Sequence, residues 1–242
     1  KESETVQVPY RSAEESAMDM VRALERGGER TVVGGKTLSP EEIIAASDVL
    51  KKAGVKIMPY EGPFNDFNKA IKFIKSNPVR WVSKPCGEEL DKSLSYVSQS
   101  AADMIFMMQK WRDSGSKQSF ILQKFSPGIE VAVGGYFGPH GWSQYFLENF
   151  EFKKLMNDEL GPATGEQGTV VRYVKQSKLA DMLLKPVTDV LQKLGYCGYV
   201  DVSAIVSEKD GYPYPLEFTM RNGYPTTNIM QALHLGDPIK WM

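Results

Sequence analysis

Two extended, apolar-rich runs, Ile129 to Phe137 and Trp142 to Phe152, are separated only by Gly138-Pro139-His140-Gly141. Four residues with glycine at both ends and proline inside cannot carry a helical crossover. The runs must fold back on each other as antiparallel strands. A second hairpin is written further on, with strands Gly198 to Val206 and Tyr214 to Thr219 around a turn at Ser207 to Gly211. Between the hairpins, Leu179, Met182, Leu183, Val187, Val190, Leu191 and Leu194 recur at helical spacing, so Leu179 to Leu194 reads as a helix. Pro186, with no N–H to give, should kink or interrupt it.

Upstream the same grammar continues. Residues 1 to 35 hold a strand-like Thr5 to Tyr10, a helix with Ala13, Met18, Val21 and Leu24 on one side, and Thr31-Val32-Val33. Ser39-Pro40-Glu41-Glu42 is a helix entry, with an N-cap serine, proline in the first turn and acids facing the dipole; that helix should run to Lys52 and stop at Gly54. Val55 to Pro59 is a short strand or extended exit, Phe64 to Lys75 a helix, and Arg80 to Pro85 a strand. A polar loop, Cys86 to Ser93, precedes a helix at Ala101 to Trp111 and a strand at Phe120 to Phe125. Strands mixed with interspersed helices give an α+β class with two lobes.

Composition narrows the functions. The 242 residues are 42% hydrophobic and 24% charged with net charge −1, which provides a core but no global basic field for nucleic acid or an acidic membrane. Cys86 and Cys197 are too few and too far apart for a disulfide framework, and fit a reducing cytoplasm. No apolar run reaches membrane-spanning length, and no signal-peptide core is present. The first residue is Lys1, compatible with a fragment or processed chain.

Four segments bear chemistry. Lys84 closes an apolar strand beside a loop holding Gly87, Asp91, Lys92 and Ser93, a place to meet phosphates or simply a solvated strand end. Gln123-Lys124-Phe125 runs into Pro127-Gly128 and then Glu130: a broken strand leaves backbone groups to read a base edge, and a carboxylate can accept from ribose hydroxyls. Asn157 to Gly168 reads as a glycine-, proline- and acid-rich loop. Gly161, Gly165, Gly168 and Thr164 allow close approach to an anion, and Lys153 and Lys154 just before them add positive charge. Asp201 and Glu217, on partner strands in period two, can share one face, where magnesium bridged to phosphates or plain solvent would accommodate both acids. Arg221 lies just past Glu217, so the pair is either a phosphate site or a surface Glu–Arg pair.

These segments resemble the ATP-grasp superfamily, and within it the glycinamide ribonucleotide synthetases (phosphoribosylamine–glycine ligases), here in a shortened form of the type found in bacteriophage genomes. ILQKFSPGIEVAV (121–133) is similar to that family's hinge, VEEFLxGxEx; FKKLMNDELGPATGEQG (152–168) to its HKR…TGPNTGGMG loop; GYCGYVDVSAIV (195–206) with PLEFTMRNGYP (215–225) to its metal-binding hairpin ending in LEFNxRxGDP. The resemblance implies a two-lobed fold that holds nucleotide between two mixed or antiparallel sheets, with residues 1–57 a reduced N-terminal region, 58–125 a first lobe with phosphate flap, and 126–242 a C-terminal lobe. It also implies a reaction: a carboxylate joined to an amine with ATP cleaved to ADP and phosphate, as in purine biosynthesis. A nucleotide-binding module without turnover is the alternative.

By the same resemblance Lys84 meets the α/β-phosphates, Gln123, Lys124 and Phe125 form the adenine hinge, Glu130 takes the ribose, and Lys92 lies in the flap. Asp201 and Glu217 become ligands of magnesium (or manganese), Arg221 binds the transferred phosphate, and Thr164 and Gly165 face an acyl phosphate. Lys154 stands where the family has an arginine. Departures are equally specific. Thr219 replaces an asparagine metal ligand, Ser47 falls where an earlier nucleotide lysine belongs, and the flap Cys86 to Lys92 is acidic and glycine-poor. His140 reads as an exposed turn residue, His234 as structural after an apolar helix, and no transition-metal or nucleophilic cysteine site is expected. The amine, the carboxylate and the oligomeric state are not written in the chain.

Overall fold

The computed structural model describes residues 49–86, 94–158, 160–220 and 225–234. The elements expected in residues 1 to 48, the flap loop with Lys92, and Arg221 lie outside the described residues. Residues 49–52 are the described end of the helix expected to stop at Gly54, and Gly54 turns there with φ +82°.

The first sheet is four-stranded, in the order β1-β4-β2-β3, and all its pairs are antiparallel. Its strands are β1 (Tyr60–Phe64), β2 (Trp81–Cys86), β3 (Tyr96–Val97) and β4 (Ser119–Lys124). Helices α1 (Phe67–Ser76) and α2 (Ala101–Asp113) cover one side. Asp66 caps α1 by accepting from the Asn68 amide at 2.7 Å, and Ser100 caps α2 by accepting from Asp103 N at 3.1 Å, each satisfying a first-turn N–H. Phe67, Ala70, Ile71 and Ile74 recur at helical spacing and bury against the sheet. Phe120 is their floor: fully buried, its ring lies 5.2 Å from Phe67 and 5.8 Å from Phe64. Phe120→Ala should therefore cost about 3–5 kcal/mol, read as a lowered denaturation midpoint. A loss under about 1 kcal/mol would mean that this lobe does not depend on that floor.

The second sheet is five-stranded and antiparallel, in the order β7-β6-β5-β8-β9. Its strands are β5 (Gly128–Gly138), β6 (Gly141–Met156), β7 (Leu160–Val174), β8 (Gly198–Ser207) and β9 (Pro213–Thr219). Both expected hairpins form, with Gly138 opposite Gly141 and β8 paired to β9. The expected long helix is broken where Pro186 predicts: α3 (Lys178–Leu183) ends, Lys185–Val187 makes a 3-10 turn, and α4 (Thr188–Lys193) resumes. Leu183, Leu184, Val187 and Leu191 from this unit bury on Val133, Val200, Val202 and Phe218 of the sheet.

Two expectations are corrected. Asn157 to Gly168 is not a free loop: β7 starts at Leu160 and pairs with β6 as Met156↔Leu160, Lys154↔Ala163 and Phe152↔Gly168. The glycines and Pro162 are absorbed by two irregularities: two steps along β6 from Phe152 to Lys154 match five along β7 from Gly168 to Ala163, and two from Lys154 to Met156 match three from Ala163 to Leu160. Phe64, expected to open a helix, instead ends the strand Tyr60–Phe64, which pairs with one side of β4 at the sheet edge, and the helix begins at Phe67.

Between the sheets the chain runs only from Phe125 to Pro127. Gly128 begins β5 so close to β8 that a Cβ there would lie 2.2 Å from the Val206 carbonyl oxygen. Glu208 N donates to Pro127 O at 3.0 Å, anchoring the connection to the second sheet.

Candidate functional site

Each sheet has one face packed under α1 and α2 or α3 and α4 and one face turned away from them, and register assigns residues to each. In the first sheet Ser83↔Leu122 and Pro85↔Phe120 lie toward α1 and α2, so Val82, Lys84, Ile121 and Gln123 fall on the opposite face. In the second, Val131, Val133, Val200 and Val202 lie toward α3 and α4. Glu130, Gly134, Asp201 and Ser203 therefore occupy the other face, with the Glu217 position opposite Ser203 and Thr219 opposite Asp201. The expected sharing of one face by positions 201 and 217 holds, one register step apart. At about 3.4 Å per residue, Glu130 and Gly134, the latter opposite Asp201, are roughly 14 Å apart along β5.

The hinge is more committed than its sequence shows. Lys124 N donates to Pro59 O at 2.8 Å and Phe125 N to Arg80 O at 3.0 Å. The Phe125 ring lies under the Arg80 guanidinium, whose carbon is 3.5 Å from the ring centroid, and Arg80 Nε also donates to Ser98 O. Ser126 N–H is the first hinge amide that donates to no described residue. The signal for it is Pro127, which holds the preceding residue extended and outside the ladder.

Glu130 is held by a lysine, and it is Lys153 rather than Lys154. Lys153 Nζ donates to Glu130 Oε1 and, at 3.0 Å, lies against Glu151 Oε2. Burial opposes the ammonium charge, yet the hydrogen bond and charge of Glu130, joined by Glu151, outweigh it and hold the Lys153 pKa above the usual lysine value. The polar line continues along β6: Asn149 Nδ2 donates to Glu151 Oε1 at 2.9 Å, while Asn149 Oδ1 is buried with no donor among the described residues. Lys154 sits opposite Ala163 between the two irregularities, and Thr164 Oγ1 donates to Lys153 O at 2.7 Å; Gly165 lies in the irregular part of β7. Period two marks the pattern that the sequence reading passed over, because Asn149, Glu151 and Lys153 share a strand face and Lys154 does not follow them.

At the other end of the face, Tyr199 Oη donates to Asp201 Oδ2 at 3.2 Å. Burial first, and the Asp201 charge second, push the Tyr199 hydroxyl pKa well up, so it stays a donor. Gly134 makes the room: a Cβ there would lie 1.9 Å from Tyr199 Oη and 2.6 Å from Asp201 Oδ2. Tyr199 packs with Leu147 and with Met230 of α5 (Thr226–Leu233), which closes that end of the face. The donors at Asp201, Ser203, Glu217 and Thr219 are all oxygens, the chemistry of a hard cation such as magnesium. Among the described residues no three acidic, histidine or cysteine side chains gather as a cage.

A separate shallow cleft of about 450 Å³, lined by Lys51, Val55, Lys56, Ile57, Pro59 and Tyr214, involves none of these residues. His140 is exposed in the β5–β6 turn and His234 follows α5, as expected. No described helix is long and apolar enough to cross a membrane.

Known proteins share this fold. Comparison with curated protein sequences gives no match. Among solved structures, the chain is similar to the phosphoribosylamine–glycine ligase of Thermotoga maritima, with 21% identity and a TM-score of 0.56 over 76% of this chain and 48% of that one. It is also similar to an N5-carboxyaminoimidazole ribonucleotide synthetase solved as its ADP complex, with 17% identity and a TM-score of 0.52 over 78% of this chain and 46% of that one. The chain thus spans about half the length of these structures, and the likeness is one of fold, the two-lobed α+β ATP-grasp fold. Residues 45–227 match the family described as phosphoribosylglycinamide synthetase, ATP-grasp (A) domain. With three quarters of its length inside that match, the chain belongs to the phosphoribosylglycinamide synthetase ATP-grasp domain family.

Proposed function

We propose that this chain binds Mg–ATP between the faces of its two sheets that α1 to α4 leave uncovered and uses it to ligate a carboxylate to an amine. One observation carries the reading: Lys84 and Gln123 on one sheet, and Glu130, Asp201 and the Glu217 position on the other, all fall on the faces turned away from α1 to α4, with α5 packed only at the Tyr199 end. Ser126 N–H and Asn149 Oδ1 suit a ligand with both acceptors and donors, as a nucleotide has.

Lys84 is assigned to the α/β-phosphates, the hinge from Gln123 through Lys124, Phe125 and Ser126 to the adenine, and Glu130 to the ribose, with Lys92 in the flap above. Asp201 and Glu217 would hold magnesium, which when bound neutralises charge on the phosphates. Arg221 takes charge from the γ-phosphoryl group as it passes to a carboxylate oxygen, forming an acyl phosphate and releasing ADP. The amine nitrogen then attacks the acyl carbon, phosphate leaves, and the nitrogen gives up a proton. Lys154, Thr164 and Gly165 belong to the β6–β7 arm, assigned to exclude water from the acyl phosphate. The most literal inheritance is glycine joined to phosphoribosylamine.

Lys84→Ala tests the nucleotide half of this reading. A charge-assisted phosphate contact is worth roughly 1.5–3 kcal/mol, so calorimetry should show Mg–ATP affinity lower by about one to two decades. Equal affinity in the two proteins would remove Lys84 from the site. A second reading, binding without turnover, is favoured by Thr219, which sits opposite Asp201 where the resemblance calls for asparagine. Tight Mg–ATP binding with no substrate-dependent ADP release would select it.

A further inference from the structure

Resting on the nucleotide reading above, we propose that Lys153 is a positioning residue that sets selectivity for the ribose hydroxyls. Lys153 reaches from β6 to both Glu130 on β5 and Glu151 on its own strand. Its side chain is only 29% exposed, so the ammonium is withdrawn from solvent and fixed by its two partners. Glu130 gives Oε1 to this clamp, leaving Oε2 as its acceptor for a ligand. A carboxylate pinned at one oxygen cannot rotate away.

Without Lys153 the two carboxylates would face each other with no cation between them. Glu130 would turn toward solvent, and its free oxygen would no longer be presented in one place. Asn149 and Thr164 support the same arrangement. Asn149 donates to Glu151 from one side, and Thr164 Oγ1 fastens the Lys153 carbonyl to β7. Lys153 acts on the ligand only through Glu130. Its removal should therefore be felt in the sugar hydroxyls and not in the adenine or phosphates.

The test is calorimetric binding of Mg–ADP and Mg–2′,3′-dideoxyADP to the full chain and to four variants, each first shown by melting to be folded. Wild type is expected to favour ADP by about tenfold or more, the worth of a hydrogen bond to a charged acceptor. Lys153→Met should bring the two affinities within about twofold by weakening ADP alone, and Glu130→Gln should do the same. Lys153→Arg, which keeps the cation, should restore most of the preference, and Lys153→Gln carries the test if the methionine variant does not fold. Full ribose preference in Lys153→Met or Lys153→Gln would overturn the proposal, as would equal weakening of both ligands. A wild type that binds both ligands equally well would remove Glu130 from the ribose and the proposal with it. A wild type that binds neither would instead overturn the nucleotide reading itself.

Discussion

Glu217→Gln should lower carboxylate-dependent ADP release by a hundredfold or more, because loss of a metal-ligand charge is worth several kcal/mol at about 1.4 kcal/mol per decade. The backbone of β9 puts position 217 opposite Ser203 and one step from Asp201, so the substitution touches the expected metal site and not the packed face of Phe218. Melting curves separate the functional loss from a structural one. In metal-free buffer the variant should melt with wild type or slightly above it, since one of two neighbouring acids is neutralised. With Mg–ATP, wild type should gain stability and the variant much less. A variant destabilised in both conditions, beside a wild type that gains nothing from Mg–ATP, would make Glu217 a structural residue.

Gly134→Ala should lower stability by about 1–3 kcal/mol, the usual penalty for forcing a methyl into a filled site, and the melting point by several degrees. The new methyl would meet Tyr199 Oη at 1.9 Å and its Cζ at 2.4 Å, and that ring is locked among buried neighbours. Either the ring or the Asp201 carboxylate must shift, so metal-dependent stabilisation should fall along with the fold. Adding Tyr199→Phe removes the nearest atom and should recover part of the loss, a positive coupling in a double-mutant cycle. Purely additive effects would show that the two residues do not compete for the same space.

Much of the fold follows from short-range chemistry that a sequence displays. The Gly138–Gly141 turn, the break at Pro186 and the β8–β9 hairpin each depend on residues adjacent in the chain. What escaped depends on partners far away. Tyr60–Phe64 is a strand because Phe120 to Gln123 pair with it, and Leu160 to Gly168 extends only because β6 runs on to Met156. The candidate site divides in the same way. Strand alternation was enough to put positions 201 and 217 on one face. By contrast, the attachment of Lys153 to Glu130 needed the β5–β6 register, and the use of the Phe125 amide by Arg80 needed the β2–β4 pairing. Gly134 looked like any strand glycine until Tyr199 and Asp201 were seen to fill its space.

The most direct test of the ligase reading is ADP release by the full chain with Mg–ATP over a panel of carboxylates, glycine among them, with and without amines, and with hydroxylamine as a trap. An acyl phosphate route predicts that one carboxylate stimulates ADP formation, that hydroxylamine yields the matching hydroxamate, and that Glu217→Gln abolishes both. ADP release that is indifferent to every carboxylate, with no hydroxamate formed although Mg–ATP binds, would contradict the account and leave a nucleotide-binding domain without ligase chemistry.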